Sequence, residues 1–416
     1  MNLEVLYGSH RDPGFFVHAL NTFFGGIPVF SEKLQRLEPK NVDDLSDADI
    51  TLIGDFLLIV PVLNEAKFLA EGKLSLVLRP SVVSAINKGR CRLLIDYSNE
   101  SGSYSLVHHI NRILLSSGVN DFSRCILLCQ NRLLKTQESL SIKIFFFDFF
   151  VLAAAWIAKR ELSLDIKKKL IRLIAKESKP YSVLCLNATP KLHRVIALLE
   201  ILDQGLVPYH GLSSNDASRS AYISFPLFTD TKNEPLDSSW LHTTLVQRGL
   251  DHLLPHLDYL EKSLPLKADA LTEKGNMLAT RITLDHFFRS NISIVTETGM
   301  DPNVERLTEK MIKPLAFGHP LVAIGHIHTI KQLKMLGFSA MDDFIDHSYD
   351  TITDSYQRTH RAVASAKDFL SRLANGQVFK EELAIHANHN MSWATHGFFD
   401  FYWIQYVDPI VEAVGN

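Results

Sequence analysis

The strongest constraint on the fold is the order of apolar and amphipathic segments between residues 291 and 337. A β-rich run, Ile292 to Thr296, precedes a polar loop and an amphipathic segment that starts at Thr308. A second apolar run, Leu321 to Ile324, and a second amphipathic segment, Thr329 to Leu336, follow. Because strands that alternate with helices pair in parallel, this order predicts a parallel sheet covered by helices.

The first half of the chain shows the same alternation. Apolar runs typical of strands and segments of helical period alternate there: Leu3 to Tyr7, Ile50 to Ile53, Pro80 to Asn87, Cys91 to Ile95, Tyr104 to Leu115 and Cys125 to Leu128. The run from Ile144 to Ala158 is the most apolar, but it is short for a membrane span and contains Asp148. We interpret it as a buried strand followed by a helix, and we predict an α/β fold throughout.

A change in composition marks the predicted domain boundary. The basic amphipathic segment from Asp165 ends at a Lys-Pro pair, and a new apolar run begins at Tyr181. We therefore predict one Rossmann-like domain over residues 1–178 and another over residues 179–416. The aromatic tail, residues 385–409, has two interpretations. It could stack on a sugar or lipid-like acceptor at the periphery of a membrane, or its helix could dock onto the first domain, which we favour.

Composition limits the classes of partner and the compartment. The 416 residues carry a formal net charge of -3, which gives no reason to expect a nucleic-acid partner. The four cysteines lie in apolar runs without a CxxC pair, as is typical of buried thiols in a reducing compartment. No basic segment followed by an apolar one opens the sequence, so we predict a cytoplasmic protein.

Two predicted helix starts carry positive charge where a strand has just ended. Lys310 lies in the first turn after Thr308, and Lys191, His193 and Arg194 lie in the first turn after the run that begins at Tyr181. Cations at a helix start oppose the helix dipole, so their presence there predicts a bound anion. Phosphate is the anion that helix starts commonly bind.

Two acidic residues accompany the cation Lys310. Glu297 ends the strand before this helix, and Glu309 lies in its first turn, where either carboxylate could accept hydrogen bonds from sugar hydroxyls. Two simpler interpretations stay open. Thr308 and Glu309 are also good residues with which to begin a helix, and an Arg such as Arg194 is exposed in most proteins.

An acidic loop in the first half is the candidate source of a general base. Asp96 and Glu100 follow the run that begins at Cys91, on a loop that contains Gly102. A carboxylate at the carboxyl end of a strand is well placed to take a proton from a substrate, and we assign that catalytic role to Glu100. The alternative is that Asp96 or Ser101 caps a turn and Glu100 is only solvated.

The donor-side motifs resemble a known family. VTET (295–298), TEK (308–310) and KPLAFGHPLVAIG (313–325) are similar to the donor-binding segment of the α1,3-fucosyltransferases. The chain departs from that family in two places. It has Thr298 where the family has Asn, and Arg306 where the family has Tyr. A closer resemblance is to bacterial and phage-encoded glycosyltransferase-like proteins. These share TEK, a GFxxF-like stretch and a DxSYD-like stretch, here GFSAMDDF (337–344) and DHSYD (346–350).

The resemblance implies a fold and a reaction. The fold would be the GT-B arrangement of two facing Rossmann-like domains, and the reaction would move a sugar from a nucleotide sugar to an acceptor hydroxyl of a glycan or other molecule, without a metal or other cofactor. Both groups open the donor domain with an xNxxxxxxR stretch whose Arg contacts the nucleotide diphosphate. Carried over, that stretch gives Asn187 and Arg194, with His193 between them. A non-catalytic nucleotide-sugar-binding module on the same fold is the alternative.

A short motif supports a competing class. GHIH (325–328) matches the GHxH signature of metallophosphoesterases, in which two histidines bind a metal. Those enzymes also need upstream DxH, GDxxD and GNHE elements, which this sequence lacks. We therefore predict no metal site at GHIH.

Overall fold

The computed structural model describes residues 4–8, 14–24, 40–62, 65–99, 102–136, 142–176, 179–187, 189–208, 220–225, 237–266 and 284–415. Its internal contacts divide the chain into two compact units. Unit 1 comprises Met1–Ala153, Asn303–Arg306 and Phe399–Asn416, and unit 2 comprises Ala154–Pro302 and Leu307–Phe398. This division falls N-terminal to the predicted boundary after residue 178, and that boundary stays a prediction.

Unit 1 is built on a six-stranded sheet in the order β2-β1-β3-β4-β5-β6, and every pairing is parallel. Its strands are β1 (Glu4–Tyr7), β2 (Lys40–Asn41), β3 (Phe56–Pro61), β4 (Cys91–Tyr97), β5 (Cys125–Cys129) and β6 (Lys143–Phe146). The described α-helices up to residue 161 are α1 (Phe15–Ala19), α2 (Asp47–Leu52), α3 (Glu65–Glu71), α4 (Lys73–Val77), α5 (Pro80–Asn87), α6 (Tyr104–Ser116) and α7 (Phe149–Glu161), of which α7 continues into unit 2.

The centre of this sheet forms the core of unit 1. Register pairs Leu58 of β3 with Leu93 of β4, and Leu93 with Cys125 of β5. All three side chains are buried, together with Ile86 of α5 and Ile110 of α6. Strands covered on both faces need apolar residues at every position, which is why these runs were visible in the sequence.

One predicted strand in unit 1 is wrong. Residues 50–53 belong to helix α2 and the residues after it, and the strand lies at Phe56–Pro61 instead. Ser46 and Asp49 form a capping box, because the Asp49 N–H donates to the Ser46 side chain and the Asp49 carboxylate accepts from the Ser46 N–H. These capping bonds favour a helix start and outweigh the β-type composition of four residues.

Unit 2 is built on a five-stranded sheet in the order β11-β10-β7-β9-β8, again parallel throughout. Its strands are β7 (Tyr181–Leu186), β8 (Val207–Pro208), β9 (Ser220–Ser224), β10 (Ser290–Thr296) and β11 (Leu321–Ile324). Its helices are α8 (Leu164–Lys176), α9 (Leu192–Asp203), α10 (Ser238–Gln247), α11 (Leu254–Ser263), α12 (Leu284–Arg289), α13 (Glu309–Ala316), α14 (Thr329–Met335), α15 (Ser355–Ala374) and α16 (Lys380–Ser392). The α/β fold with two parallel, Rossmann-like sheets is therefore confirmed.

The end of the chain is helical, and its aromatic residues Phe399, Tyr402 and Trp403 are buried residues of unit 1. It contains α17 (Phe398–Tyr402) and α18 (Asp408–Gly415), separated by a π-helical turn, Trp403–Val407. Tyr402 and Trp403 are buried, and the Tyr402 hydroxyl accepts a hydrogen bond from the Asp148 N–H at 2.7 Å. None of the described helices has the length and apolar character needed to cross a membrane.

The DHSYD stretch covers the edge of the second sheet. β11 is the edge strand, and its Ala323 N–H donates to the hydroxyl oxygen of the buried Tyr349 at 2.9 Å. The Asp350 carboxylate accepts hydrogen bonds from the N–H groups of Ile330 and Lys331, at 2.9 and 3.0 Å. Tyr349 and Asp350 thus have structural roles, one at the strand edge and one at the start of α14.

Candidate functional site

The candidate site lies at the carboxyl edge of the second sheet, where its strand order reverses. From β7 the chain continues to β8 and β9, which lie on one side of β7, and then to β10 and β11, which lie on the other side. Such a switch point leaves a crevice at the carboxyl ends of the two central strands, and open α/β sheets bind ligands there. Asn187 follows β7 and Glu297 follows β10, so two predicted site residues lie at this point.

Glu297 connects the end of β10 to the start of α13. Its carboxylate is fully buried and accepts three hydrogen bonds. One oxygen accepts from the Thr308 N–H at 2.8 Å, and the other accepts from the Thr308 hydroxyl at 2.8 Å and the Thr298 N–H at 3.0 Å. A buried carboxylate is tolerated only when it is compensated in this way. Glu297 therefore fixes the position of Thr308, which is the N-cap of α13.

The first turn of α13 carries an accessible cation. The Lys310 side chain is one-third exposed, and its Nζ lies 3.0 Å from a carboxylate oxygen of Glu309. Lys313, one turn later, was not identified from the sequence. The pKa of Lys313 is lowered to about 8, mainly by burial and also by the charge of Lys310, while the carboxylate of Glu309 opposes the shift. Two lysines and one carboxylate thus surround this helix start.

Arg194 lies in the first turn of α9 and is buried, with 4% of its surface exposed, which excludes the interpretation as a surface Arg. Its Nη1 donates to the carbonyl oxygen of Thr189 at 3.1 Å, and its Nη2 donates to the carbonyl oxygen of Glu297 at 3.3 Å. Its Nε has no hydrogen-bond partner among the described residues. Burial lowers the pKa of Arg194, and the charge of Glu297 opposes the shift.

The rest of the α9 start is also fixed to the end of β10. Lys191 is the N-cap of α9 but makes no side-chain capping bond, and its Nζ donates to the carbonyl oxygen of Thr298 at 2.7 Å. His193 Nε2 lies 2.9 Å from the carbonyl oxygen of Glu297. Because a carbonyl only accepts, Nε2 carries the proton. Burial lowers the pKa of His193 to about 4, so the ring is neutral at pH 7 and Nδ1 is an acceptor.

Asn187 is buried between the two central strands. Its Oδ1 accepts a hydrogen bond from the Thr296 hydroxyl, and its Nδ2 lies 3.4 Å from the Cys185 sulfur. These bonds link β7 to β10 and leave Asn187 in a supporting position. The four cysteines are free and buried, as predicted, and burial raises their thiol pKa values.

Glu100, the predicted general base, lies outside the described residues. Its neighbour Asp96 is fully buried at the end of β4 and accepts hydrogen bonds from the Ser98 N–H and hydroxyl, at 3.1 and 2.6 Å. Its other oxygen accepts from the Phe16 N–H at 2.8 Å. The interpretation of Asp96 as a turn-capping residue is therefore confirmed.

The GHIH motif forms the turn after β11. Gly325 packs closely, because an added Cβ would lie 3.0 Å from the Thr329 hydroxyl and 3.1 Å from Glu297 Cγ. His326 is buried, with Nδ1 2.9 Å from the carbonyl oxygen of Asp301, and His328 begins α14 with φ of 65°. Neither His326 nor His328 belongs to the group of potential metal ligands found among the described residues. That group lies on and around α9.

Comparisons with known proteins give structural similarity only. No family model and no curated protein matches the chain. An α,α-trehalose 6-phosphate synthase from Burkholderia multivorans aligns with a TM-score of 0.35 and 11% identity, covering 89% of this chain and 74% of that one. A UDP-forming α,α-trehalose-phosphate synthase from Burkholderia vietnamiensis aligns with a TM-score of 0.35 and 13% identity, covering 89% and 76%. At these TM-scores the similarity does not establish a shared activity.

Proposed function

We propose that this protein is a glycosyltransferase that moves a sugar from a nucleotide-sugar donor to an acceptor hydroxyl, with unit 2 as its donor-binding part. The observation that carries the proposal is the pair of helix starts, α9 and α13, on the two strands of the switch point. Both are fixed to Glu297, one through its carbonyl and one through its carboxylate. Both bring a cation, Arg194 or Lys310, to that place.

The charges match a nucleotide diphosphate. The N–H groups at a helix start and the positive end of the helix dipole attract phosphate, and Lys310 adds a full charge that is partly exposed. Arg194 adds a guanidinium whose Nε is unpaired among the described residues. In the proposed reaction these cations stabilise the leaving diphosphate electrostatically, without a metal ion at that place.

The sugar and ribose hydroxyls would be held by acceptors beside these cations. Glu309 offers a carboxylate at the edge of the site, with a side chain that is 12% exposed. The neutral His193 offers Nδ1 as an acceptor. Glu297, whose carboxylate already accepts three hydrogen bonds, would act mainly by holding Thr308 and the start of α13 in position.

The chemical step follows from these assignments. The acceptor oxygen attacks the anomeric carbon, the bond from that carbon to the diphosphate oxygen breaks, and the nucleoside diphosphate leaves with the bonding electron pair. The acceptor proton passes to Glu100 as general base. This single displacement inverts the anomeric centre.

The test is a screen of UDP, GDP and their sugars by thermal shift and calorimetry, followed by an assay for nucleoside diphosphate release. One nucleotide should stabilise the protein, because a ligand that binds only the folded state raises its stability. Lys310→Ala should weaken that binding by about 10- to 150-fold, the equivalent of roughly 1.5–3 kcal/mol for one charged contact.

The chain offers a matched control for Lys310. Lys331 is an exposed lysine in the first turn of α14, but the Asp350 carboxylate already occupies that helix start. Lys331→Ala should therefore leave nucleotide affinity unchanged. Failure of every nucleotide to bind, or equal weakening by both substitutions, would contradict the proposal. Binding without sugar transfer to any acceptor would favour the non-catalytic binding module.

A further inference from the structure

A second cluster of titratable side chains lies toward the other end of α9 from Arg194. Glu200 is buried, with 1% of its surface exposed. One carboxylate oxygen lies 2.8 Å from His360 Nδ1, and the other lies 3.8 Å from His252 Nε2. The ligand atoms of these three residues all lie within 4.8 Å of one another. Among the described residues, these three form the one group of at least three His, Cys, Asp or Glu side chains whose ligand atoms lie this close together.

The three side chains come from three separate elements. Glu200 lies on α9, His252 on the 3-10 helix Asp251–Leu253, and His360 on α15. The carboxylate is buried, whereas the His252 and His360 side chains are 47% and 44% exposed. An ion could therefore enter from solvent between the imidazoles and reach the carboxylate beneath them.

Burial of Glu200 requires compensation of its charge. A carboxylate removed from water is costly unless a positive group accompanies it. Two imidazoles can meet this need by taking up a proton or by sharing a metal cation. The second arrangement uses all three residues at once, because each ring presents one nitrogen to the same carboxylate.

We propose that Glu200, His252 and His360 bind a divalent transition metal of the zinc type, with water as the fourth ligand. Imidazole nitrogens with one carboxylate favour zinc over magnesium or calcium, which prefer all-oxygen sites. Tetrahedral bonds of about 2.0–2.2 Å place ligand atoms roughly 3.3 Å apart. The two histidine nitrogens lie 2.8 and 3.8 Å from different oxygens of the Glu200 carboxylate, so binding of the metal would require the side chains to rotate.

The metal would cross-link unit 2 and would take no part in sugar transfer. Glu200 and Arg194 are six positions apart on one helix, which corresponds to about 9 Å along its axis. A metal at Glu200 would hold α9 against α15 and the turn at His252. The inference is thus independent of the proposed function.

The neighbouring pair of Asp203 and His256 provides a matched control. His256 Nε2 lies 3.3 Å from an Asp203 carboxylate oxygen, and both residues lie close to the cluster in sequence. Unlike Glu200, Asp203 has no second histidine among the described residues that converges with it as a ligand. His256→Ala therefore removes a nearby histidine without removing a proposed ligand.

The experiment uses the untagged full chain, freed of metal with a chelator and titrated with Co²⁺ and then Zn²⁺. We expect one Co²⁺ per chain with the visible absorption of a tetrahedral site, displacement by Zn²⁺, and a higher melting temperature with Zn²⁺. His252→Ala and His360→Ala should each weaken Zn²⁺ binding by roughly 100-fold or more, since even loss of a group behind a ligand costs about 10- to 100-fold. His256→Ala should bind as the parent does.

Three results would overturn the proposal. They are the lack of a tetrahedral Co²⁺ spectrum, a spectrum that persists in both His252→Ala and His360→Ala, and a spectrum that is lost equally in His256→Ala. Glu200→Gln should also lose the metal, but this substitution changes a buried group and could unfold unit 2. The two half-exposed histidines therefore decide the question, and circular dichroism of each variant confirms that it is folded.

Discussion

The carboxyl edges of the two parallel sheets differ in how their polar groups are used. In unit 1 the polar residues after β4, β5 and β6 mainly bind one another and the backbone. Gln130 Nε2 donates to the Ser98 carbonyl and to the Asp148 carboxylate, both at 3.0 Å, and Asp96 is occupied by the Ser98 turn and the Phe16 N–H. In unit 2 the same edge brings Arg194 and Lys310 to two helix starts.

The difference shows that polarity at the end of a strand does not define a ligand site. Asp96 and Gln130 are buried at such ends, yet their hydrogen bonds fix the loops around them. In unit 2 the strand order reverses between β7 and β10, and cations lie where this crevice opens. The position relative to the switch point distinguishes the carboxyl edge of the unit 2 sheet. The following predictions test this distinction.

The largest effect is expected at Glu100, which would give the carboxyl edge of the unit 1 sheet a chemical role. Glu100→Gln should reduce turnover by about 10² to 10⁴, the usual contribution of a general base, and leave donor affinity unchanged. The measurement is kcat for sugar transfer together with calorimetric donor binding. Near-normal turnover in Glu100→Gln would show that the base lies elsewhere or that the enzyme retains configuration.

Asp96 should affect stability and not catalysis. In Asp96→Asn an NH₂ group replaces one of the two carboxylate oxygens. Because NH₂ cannot accept a hydrogen bond, the bond from the N–H of either Ser98 or Phe16 is lost. Loss of a charged, buried hydrogen bond should lower the free energy of unfolding by roughly 1.5–3 kcal/mol, measured by chemical denaturation.

A matched control for Asp96 exists in the same unit. Asp121 makes the same turn with the N–H and hydroxyl of Ser123, but its side chain is 38% exposed. Asp121→Asn should cost less than about 1 kcal/mol, the typical value for an exposed cap. Equal losses in the two variants would mean that burial at the carboxyl edge of the unit 1 sheet contributes nothing.

Arg194→Lys tests the carboxyl edge of the unit 2 sheet, because the substitution keeps the positive charge at this position. The ammonium cannot reproduce the forked bonds to the Thr189 and Glu297 carbonyls, so we expect diphosphate affinity to fall by about tenfold and the unfolding midpoint to fall as well. Arg358 provides the control, because it is also buried and donates to the Gly325 carbonyl at 3.0 Å. If Arg358→Lys lowers diphosphate affinity as much as Arg194→Lys does, the effect of Arg194→Lys is structural.

The smallest effect concerns pH. Lys313 has its pKa lowered to about 8 by burial, so it loses its charge as pH rises through that value. Diphosphate affinity should therefore be higher below pH 8 and fall by about two- to fivefold above it, as expected for one partly screened charge. Lys313→Arg should remove the dependence, because Arg stays charged, and an unchanged slope in that variant would exclude Lys313 as the cause.

The sequence predicted those parts of the fold that depend on local period. β11 and α5 have the predicted bounds, and Thr308 is the predicted N-cap of α13. Residues 50–53 were predicted wrongly because the capping box of Ser46 and Asp49 decided the local structure.

Contacts between distant segments were beyond sequence reasoning. The order of strand and helix placed Glu297 just before the helix start at Thr308, but it did not show that the carboxylate bonds to this N-cap residue. The burial of Arg194 depends on backbone carbonyls supplied by two other segments. The convergence of Glu200 with two histidines depends on how three elements pack, which no short motif records.

Tyr349 has a consequence for how the protein behaves at high concentration. An exposed edge strand can recruit a strand from another molecule through its unpaired N–H and C=O groups. β11 is only four residues long, and its Ala323 N–H is already bonded to the Tyr349 hydroxyl, so a foreign strand would have to displace a buried aromatic side chain. The DHSYD stretch thereby shields this apolar strand from intermolecular β-pairing and aggregation.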